Sequence, residues 1–432
     1  MAVTGFPDDE LLHAALLREG PMNLPRAIAV MDRHGLDGLV LGRPENVFHA
    51  LGHWPVIART RTGQPPSVFA VLTRERPGEW GLISSRFLYY YTWADGRSRG
   101  DVQPWLYGEL GDGGDLTSIA PFPMCSDAGE VPLSPLEQHR ADELARVTPP
   151  RASLRDAGAA LVAALRGMGL WTSGRVGFDD PVIARVMAHH DHPGHAVPAD
   201  NIVREIRLVK SPLEQALMAR AAEANVGAML ATALAARVGA RHCDLQEMFR
   251  IEAAKRGNTS VFLNVDRAST QGSLAEIADG QTLFLDAVSH FQNYHGDFAR
   301  TLFVGDPPKS ARRAAEASGL AWHAVREHLR PGLRYSEIIA IGQKAVRGAG
   351  YHTNIGFGPH SVGLAHTDEP GEDHGGFWRK PNLVLEEGMV VSIDCPVLDT
   401  GIGGSAHCED LMLITSDGAR CIHSEHETVI VI

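Results

Sequence analysis

The sequence predicts an α/β chain of two domains, residues 1–198 and 199–432. Three observations predict it. At 432 residues the chain exceeds what one ordinary core can bury. Its first half alternates helical periodicity with short apolar runs, and its second half holds two strand–turn–strand segments of similar design. A composition of 44% hydrophobic and 21% charged residues is that of a globular protein.

Taken in order, Leu24–His34 reads as a helix, Gly38–Leu41 as a short buried strand, and Pro44-Glu45-Asn46 as the start of a turn or helix. Ser67–Leu72 and Trp80–Ile83 are further strands. Residues 97–150, rich in Gly, Pro and Asp, read as loops. Leu154–Met168 is helical and Arg175–Phe178 a strand. A boundary falls near residue 200, followed by a long helical pattern. Ser211 suits its N-cap, Pro212 its first position, and Glu214 completes a capping box. Leu245–Lys255, Ser310–His328 and Ser336–Arg347 are the next helices.

Between those helices lie TLFLDAVSHFQNYHGDFARTLFVG and VVSIDCPVLDTGIGGSAHCEDLMLI. The first sets Asp286 and Asp297 eleven residues apart; the second sets Asp394 and Glu409 fifteen apart. In each, one carboxylate stands near the end of an incoming strand and the other at the start of the return strand, so a hairpin brings both to one end of a ladder. Acidic side chains inside apolar strands are costly unless their charge is compensated. Four gathered together would raise one another's pKa, and a pair of divalent cations resolves the repulsion. His360, in the Gly-rich GFGPHSVGLAHTDEP, supplies one imidazole. Oxygen-rich coordination with one nitrogen suits manganese, iron, cobalt or zinc. The alternative treats the carboxylates as turn residues and caps.

A formal net charge of −12 argues against general affinity for nucleic acid or anionic lipid. The N-terminal stretch has an acidic run and no signal-peptide core, and no apolar run approaches the ~18 residues of a membrane span. Cys125, Cys243, Cys395, Cys408 and Cys421 are odd in number and without CxxC spacing. That points away from a disulfide framework and toward a reducing cytoplasm.

At these residues the chain resembles the pita-bread metallohydrolases: methionine aminopeptidase, aminopeptidase P, prolidase and creatinase. IRLVKSPLEQALMARAA is similar to the opening of that family's catalytic domain, and the Asp286–Asp297 segment to its first ligand hairpin, including Tyr294, Arg300 and Thr301. HSVGLAHTDEP, LEEGMVVSIDCP and HCEDLMLIT resemble the later ligand segments, and GLDGLVLGRPENVFHALG a creatinase-type N-terminal domain. The resemblance implies a pita-bread catalytic fold with a pseudo-twofold pair of hairpins. It also implies Asp286, Asp297, His360, Asp394 and Glu409 as ligands of two divalent metals, manganese first, and a homodimer. The chain departs from the family at several places. Asp394 stands where Glu is usual, and His366 follows His360 by six residues instead of seven. Ser269 and Gly356 occupy positions where peptidases of the family carry His, and His407 replaces an Arg.

Alternation along a strand places His295 on the face of Asp297 and His407 on that of Glu409, and turns Cys395, Cys408 and Asp410 away. His366, His407 and Glu409 are the catalytic candidates, His366 by its resemblance to the family's substrate-binding His. Each histidine has a plain alternative as an ordinary core or surface residue. Arg300 reads as a brace. The expected activity is cleavage of an Xaa-Pro peptide by a water activated between two metals. The competing readings are hydrolysis of a small non-peptide amide or amidine, a creatinase-like hydrolase without metal, and a binding module on a retired peptidase fold.

Overall fold

The computed structural model describes Phe6 and residues 8–55, 66–94, 99–108, 132–147, 154–172, 174–267, 271–371, 379–398 and 405–432. The chain divides into two compact units, His13–Ile206 and Arg207–Ile432, the latter together with the N-terminal residues to Leu12.

In the first unit, β1 (Gly38–Leu41), β2 (Phe69–Thr73), β3 (Trp80–Ser85), β4 (Val102–Tyr107), β5 (Arg175–Phe178) and β6 (His195–Pro198) form one sheet in the order β4-β3-β2-β1-β5-β6. Its centre is buried on both faces, which is why GLVL is apolar throughout instead of alternating. Leu39, Leu41, Ala70 and Leu72 enter one core; Val40, Phe69, Val71 and Ile83 enter the other. Helix Leu24–His34 has the predicted bounds, capped by the Asn23 side chain at its start and by Gly35 at φ 62° at its end.

Residues 97–150 correct the expectation of loops, because β4 and helix Pro135–Val147 fall within them. Pro104 and the polar flanks hide β4, but β4 is an edge strand, where proline is tolerated. The helix is polar along most of its length and buries Glu143, which accepts from Tyr89 Oη at 2.9 Å. Residues 97–98, 109–131 and 148–150 lie outside the described residues.

The second unit holds two four-stranded sheets. One contains β7 (Thr259–Val265), β8 (Thr282–Phe291) and β9 (Tyr294–Phe303). The other is β10 (Gly358–Ser361), β11 (Val390–Asp394), β12 (Leu411–Ile414) and β13 (Ala419–Cys421), and β14 (Val429–Val431) returns to the first, parallel to β9. The orders are β14-β9-β8-β7 and β10-β11-β12-β13. Two helices, Pro212–Ala233 and His242–Lys255, belong with the first sheet's core, and Lys309–Arg326 and Tyr335–Gly348 with the second's. The sheets meet where Ala299 and Glu409 exchange backbone hydrogen bonds of 3.3 and 3.1 Å.

Candidate metal centre

Helix Pro212–Ala233 positions the first hairpin. The Ser211 side chain accepts from Glu214 N at 3.1 Å and Glu214 Oε2 accepts from Ser211 N at 2.8 Å, the predicted capping box. The other Glu214 oxygen accepts from Tyr294 Oη at 3.1 Å, which ties the helix start to β9. Two turns further along, Gly296 lets the helix backbone approach, since a Cβ there would stand 2.7 Å from Ala222 Cα. Asn225 closes the contact by donating to Ala287 O at 2.7 Å.

Between β8 and β9 the chain turns at Gln292 and Asn293, both in the left-handed region at φ 47° and 68°. Two such residues make the tight turn that matches strand twist. The turn lies farther along than the sequence suggested. Asp286 therefore sits in the middle of β8, not near its end, opposite Ala299, while Asp297 faces Val288. The two carboxylates are diagonal neighbours. Glu409 joins them through Ala299, so Asp286, Ala299 and Glu409 form one row across the ladder.

Arg300 fastens that row. Fully buried, it donates to Glu409 O at 2.8 Å, Asp410 Oδ1 at 2.7 Å and Glu427 O at 2.8 Å, and lies 4.1 Å over the Phe298 ring. Asp410 is the acceptor of that ion pair. Cys395 and Cys408 are buried in the apolar core, as alternation predicts.

Asp394 ends β11 opposite Gly358, and a Cβ at Gly358 would meet Asp394 Oδ2 at 2.4 Å. Glycine is needed there because the carboxylate lies over it. His360 pairs with Ser392 across β10 and β11. The Ser392 hydroxyl donates to Glu409 Oε1 in a short contact.

The loop that follows His360 is anchored by a buried network. Asp368 accepts from Leu364 N at 2.9 Å and pairs with Arg207; Glu369 accepts from Ser361 N at 3.1 Å and Tyr335 Oη at 3.0 Å. His295 contributes here, its backbone N and Nδ1 lying 2.9 and 3.1 Å from Gly363 O. It therefore braces the histidine loop, although alternation set it beside Asp297.

These elements bring all five predicted ligand side chains together. Asp286, Asp297 and Glu409 present oxygens within 4.8 Å of one another, and so do His360, Asp394 and Glu409 as a set, and Asp297, His360 and His366 as another. His360 Nε2 stands 3.7 Å from Asp297 and from Glu409 and 4.0 Å from Asp394. His366 Nε2 lies 3.1 Å from Asp297 Oδ2. His407 Nε2 lies 3.2 Å from Glu409 Oε2 and 3.7 Å from Asp394 Oδ1.

Charge in this cluster is out of balance. Burial, then the Glu409 charge, pushes Asp286 up to about 6 and Asp394 up to about 7, and holds Asp297 well above its ordinary value. Burial alone would lower His360 and His407, but the surrounding carboxylates, Glu409 foremost, raise them to about 10 and about 9. For Glu409 burial acts upward, yet His360 and His407 hold it well below the carboxylate range. Without cations the cluster thus retains protons as substitute positive charge. Both Asp297 oxygens, Asp286 Oδ1 and both His360 nitrogens are buried with no hydrogen-bond partner among the described residues. A divalent ion among them would supply the missing partner, and the donor set fits one.

Sequence reasoning missed Ser392 and Asn264, which donates to Asp286 Oδ2 at 2.8 Å. Ser392 carried a signal, being two residues before Asp394 on the same face, whereas Asn264 is set opposite Asp286 only by the pairing of β7 with β8. It missed the Arg207–Asp368 anchor as well, whose partners are far apart in sequence. A further group of ligating side chains, Asp410, Cys421 and His423, already holds a cation in Arg300. The Ser269 position lies outside the described residues.

Residues 216–416 match metallopeptidase family M24. The chain is 25% identical to an Xaa-Pro dipeptidase of Pyrococcus horikoshii over 53% of its own length and 67% of the relative's. Two solved structures share the fold. The Xaa-Pro dipeptidase from Bacillus anthracis superposes with a TM-score of 0.66 at 17% identity, over 97% of this chain and all of that one. A dipeptidase from Pyrococcus horikoshii gives 0.67 at 16%, over 95% and 100%.

Proposed function

The chain has a metallopeptidase family M24 domain, and from that premise we propose that it is a metal-dependent hydrolase cleaving an Xaa-Pro peptide. The observation that carries the reading is the convergence of Asp286, Asp297, His360, Asp394 and Glu409, with buried Asp286 and Asp297 oxygens that lack a partner among the described residues. These five are the proposed ligands of two divalent cations, manganese first and cobalt, iron or zinc next. The relatives named Xaa-Pro dipeptidase support the substrate class.

Bound cations would supply Lewis acidity, acidifying water and polarising the scissile carbonyl. The protein's own groups do the rest. Glu409 or Asp394 accepts the proton of the attacking water and returns it to the departing nitrogen. His366 has a side chain 36% exposed at the edge of the cluster and packs edge-on to Phe262 at 5.4 Å. In this reading it donates to the carbonyl oxygen as charge develops there. In this reading residues 199–432 are the catalytic domain and 1–198 a creatinase-type N-terminal domain. The protein works in the cytoplasm as a homodimer, without nucleic acid or membrane partners. No helix among the described residues is long and apolar enough to cross a membrane.

A second substrate class has one observation behind it. Gly356 stands where the peptidases that this chain resembles carry a histidine, and a Cβ there would only touch Pro396 at 3.6 Å, so the chain lacks that imidazole although the backbone has room for a side chain. Chelator-stripped protein reconstituted with Mn²⁺ should cleave Xaa-Pro dipeptides and leave Xaa-Ala controls intact. Equal turnover with and without metal would overturn the reading. Inert dipeptides beside a hydrolysed small amide would move the substrate to the second class.

A further inference from the structure

The histidine at position 407 is not explained by the five-ligand set. It is 4% exposed, stands edge-on to Phe284 at 5.4 Å and 88°, and is held by its backbone. Thr301 Oγ1 accepts from His407 N at 2.9 Å and donates to His407 O at 3.1 Å. The backbone at His407 is therefore fixed in place, and the ring's Nε2 faces carboxylate oxygens.

Comparison with His360 gives this orientation its meaning. His360 Nε2 lies 3.7 Å from Glu409 Oε1, whereas His407 Nε2 lies 3.2 Å from Glu409 Oε2. The two imidazoles thus face the two different oxygens of one carboxylate, that of Glu409. Donor atoms sharing a cation at ordinary bond lengths stand about 3 Å apart; His407 meets that spacing at Glu409 more closely than His360 does, and His366 meets it at Asp297 Oδ2, 3.1 Å away, so the test must separate the two. Asp394 supplies the reason for an extra donor. It is one methylene shorter than glutamate, and His407 Nε2 approaches its Oδ1 to 3.7 Å. The His407 Nδ1 has no partner among the described residues that would turn the ring elsewhere.

We propose that His407 is itself a metal ligand, so that each cation of the pair receives one imidazole, His360 for one and His407 for the other. The inference rests on the metal-centre reading above and deepens it. With five ligands one cation would have an imidazole and the other only oxygens; with His407 each has one nitrogen, so the two positions become chemically alike and both suit zinc, cobalt or iron as well as manganese.

The test is X-ray absorption spectroscopy of the cobalt-loaded full-length protein, with elemental analysis of the same samples. Wild type should show one imidazole per cation, and His407→Gln about half that number. His366→Gln should leave the count unchanged, because His366 is assigned to substrate. Titration calorimetry with Co²⁺ should show one of the two binding events weakened at least 10-fold in His407→Gln. A wild-type count of one imidazole per cation pair would overturn the proposal, and so would a count that His407→Gln leaves unaltered. Should His407→Gln fail to fold, the wild-type and His366→Gln counts decide together, because a count that His366→Gln lowers would overturn the proposal. Wild type without bound cobalt would instead sink the metal centre as a whole.

Discussion

Replacing Asp297 by Asn separates what stabilises this fold from what the site needs. The Asp297 side chain is fully buried, and neither oxygen has a hydrogen-bond partner among the described residues. Burial, then the Glu409 charge, holds its carboxyl well above the ordinary value of 3.8. An unpaired buried ion costs several kcal/mol, and an unpaired buried amide about 1–3 kcal/mol. In chelator at neutral pH, Asp297→Asn should therefore be more stable than wild type by about 2 kcal/mol. For a unit of this size that raises the melting temperature by roughly 4–8 °C. A carboxyl raised in the folded state penalises folding only where the unfolded chain has already ionised. The advantage of Asn should accordingly shrink as pH falls and vanish near the ordinary carboxyl pKa of about 4. Saturating Mn²⁺ reverses the order, because a ligand at a hundred times its Kd adds about 2.7 kcal/mol to a protein that binds it. Wild type should gain this and the variant should not. Differential scanning calorimetry of both proteins, with chelator and with Mn²⁺, reads all of these quantities. A variant less stable than wild type in chelator at pH 7, or one that gains as much from Mn²⁺, would refute the reasoning.

The remaining expectations concern the groups around the cluster. Gly358→Ala should lower cation affinity by about 10–100-fold in titration calorimetry, because the new Cβ would meet Asp394 Oδ2 at 2.4 Å and displace it. Binding the cations should release at least about one proton per chain at pH 7, measured by calorimetry in buffers of different ionisation enthalpy. His360 and His407, raised to about 10 and about 9, are protonated at that pH, so apparent affinity should climb as pH rises toward those values. Arg300→Lys cannot reproduce the forked contacts to Asp410, Glu409 and Glu427, and should destabilise the fold by about 3 kcal/mol in denaturant unfolding.

Local rules made much of this protein legible in one dimension. The Ser211–Glu214 capping box needs residues three apart, and the buried GLVL strand needs only four apolar side chains. The ligand set was legible for a related reason, because acidic residues inside apolar strands announce a charge that something must neutralise. Local composition also misled. Proline and polar neighbours concealed β4, an edge strand, and the polar helix Pro135–Val147.

What the sequence by itself determined was the order of elements and the residue types gathered at the hairpins. The tertiary structure decided which of them face one another. Alternation put His295 and His407 on equal terms, each two residues from a carboxylate. His407 keeps to Glu409 as that rule expects, whereas the approach of a separate segment sent His295 to the Gly363 carbonyl. The middle position of Asp286 depended on where two residues adopt positive φ, and the Ala299–Glu409 bridge and Arg207–Asp368 pair join segments more than a hundred residues apart. Periodicity specifies the face of a strand on which a side chain lies. Distances between groups on different segments follow from register and packing, which exist only once the chain has folded.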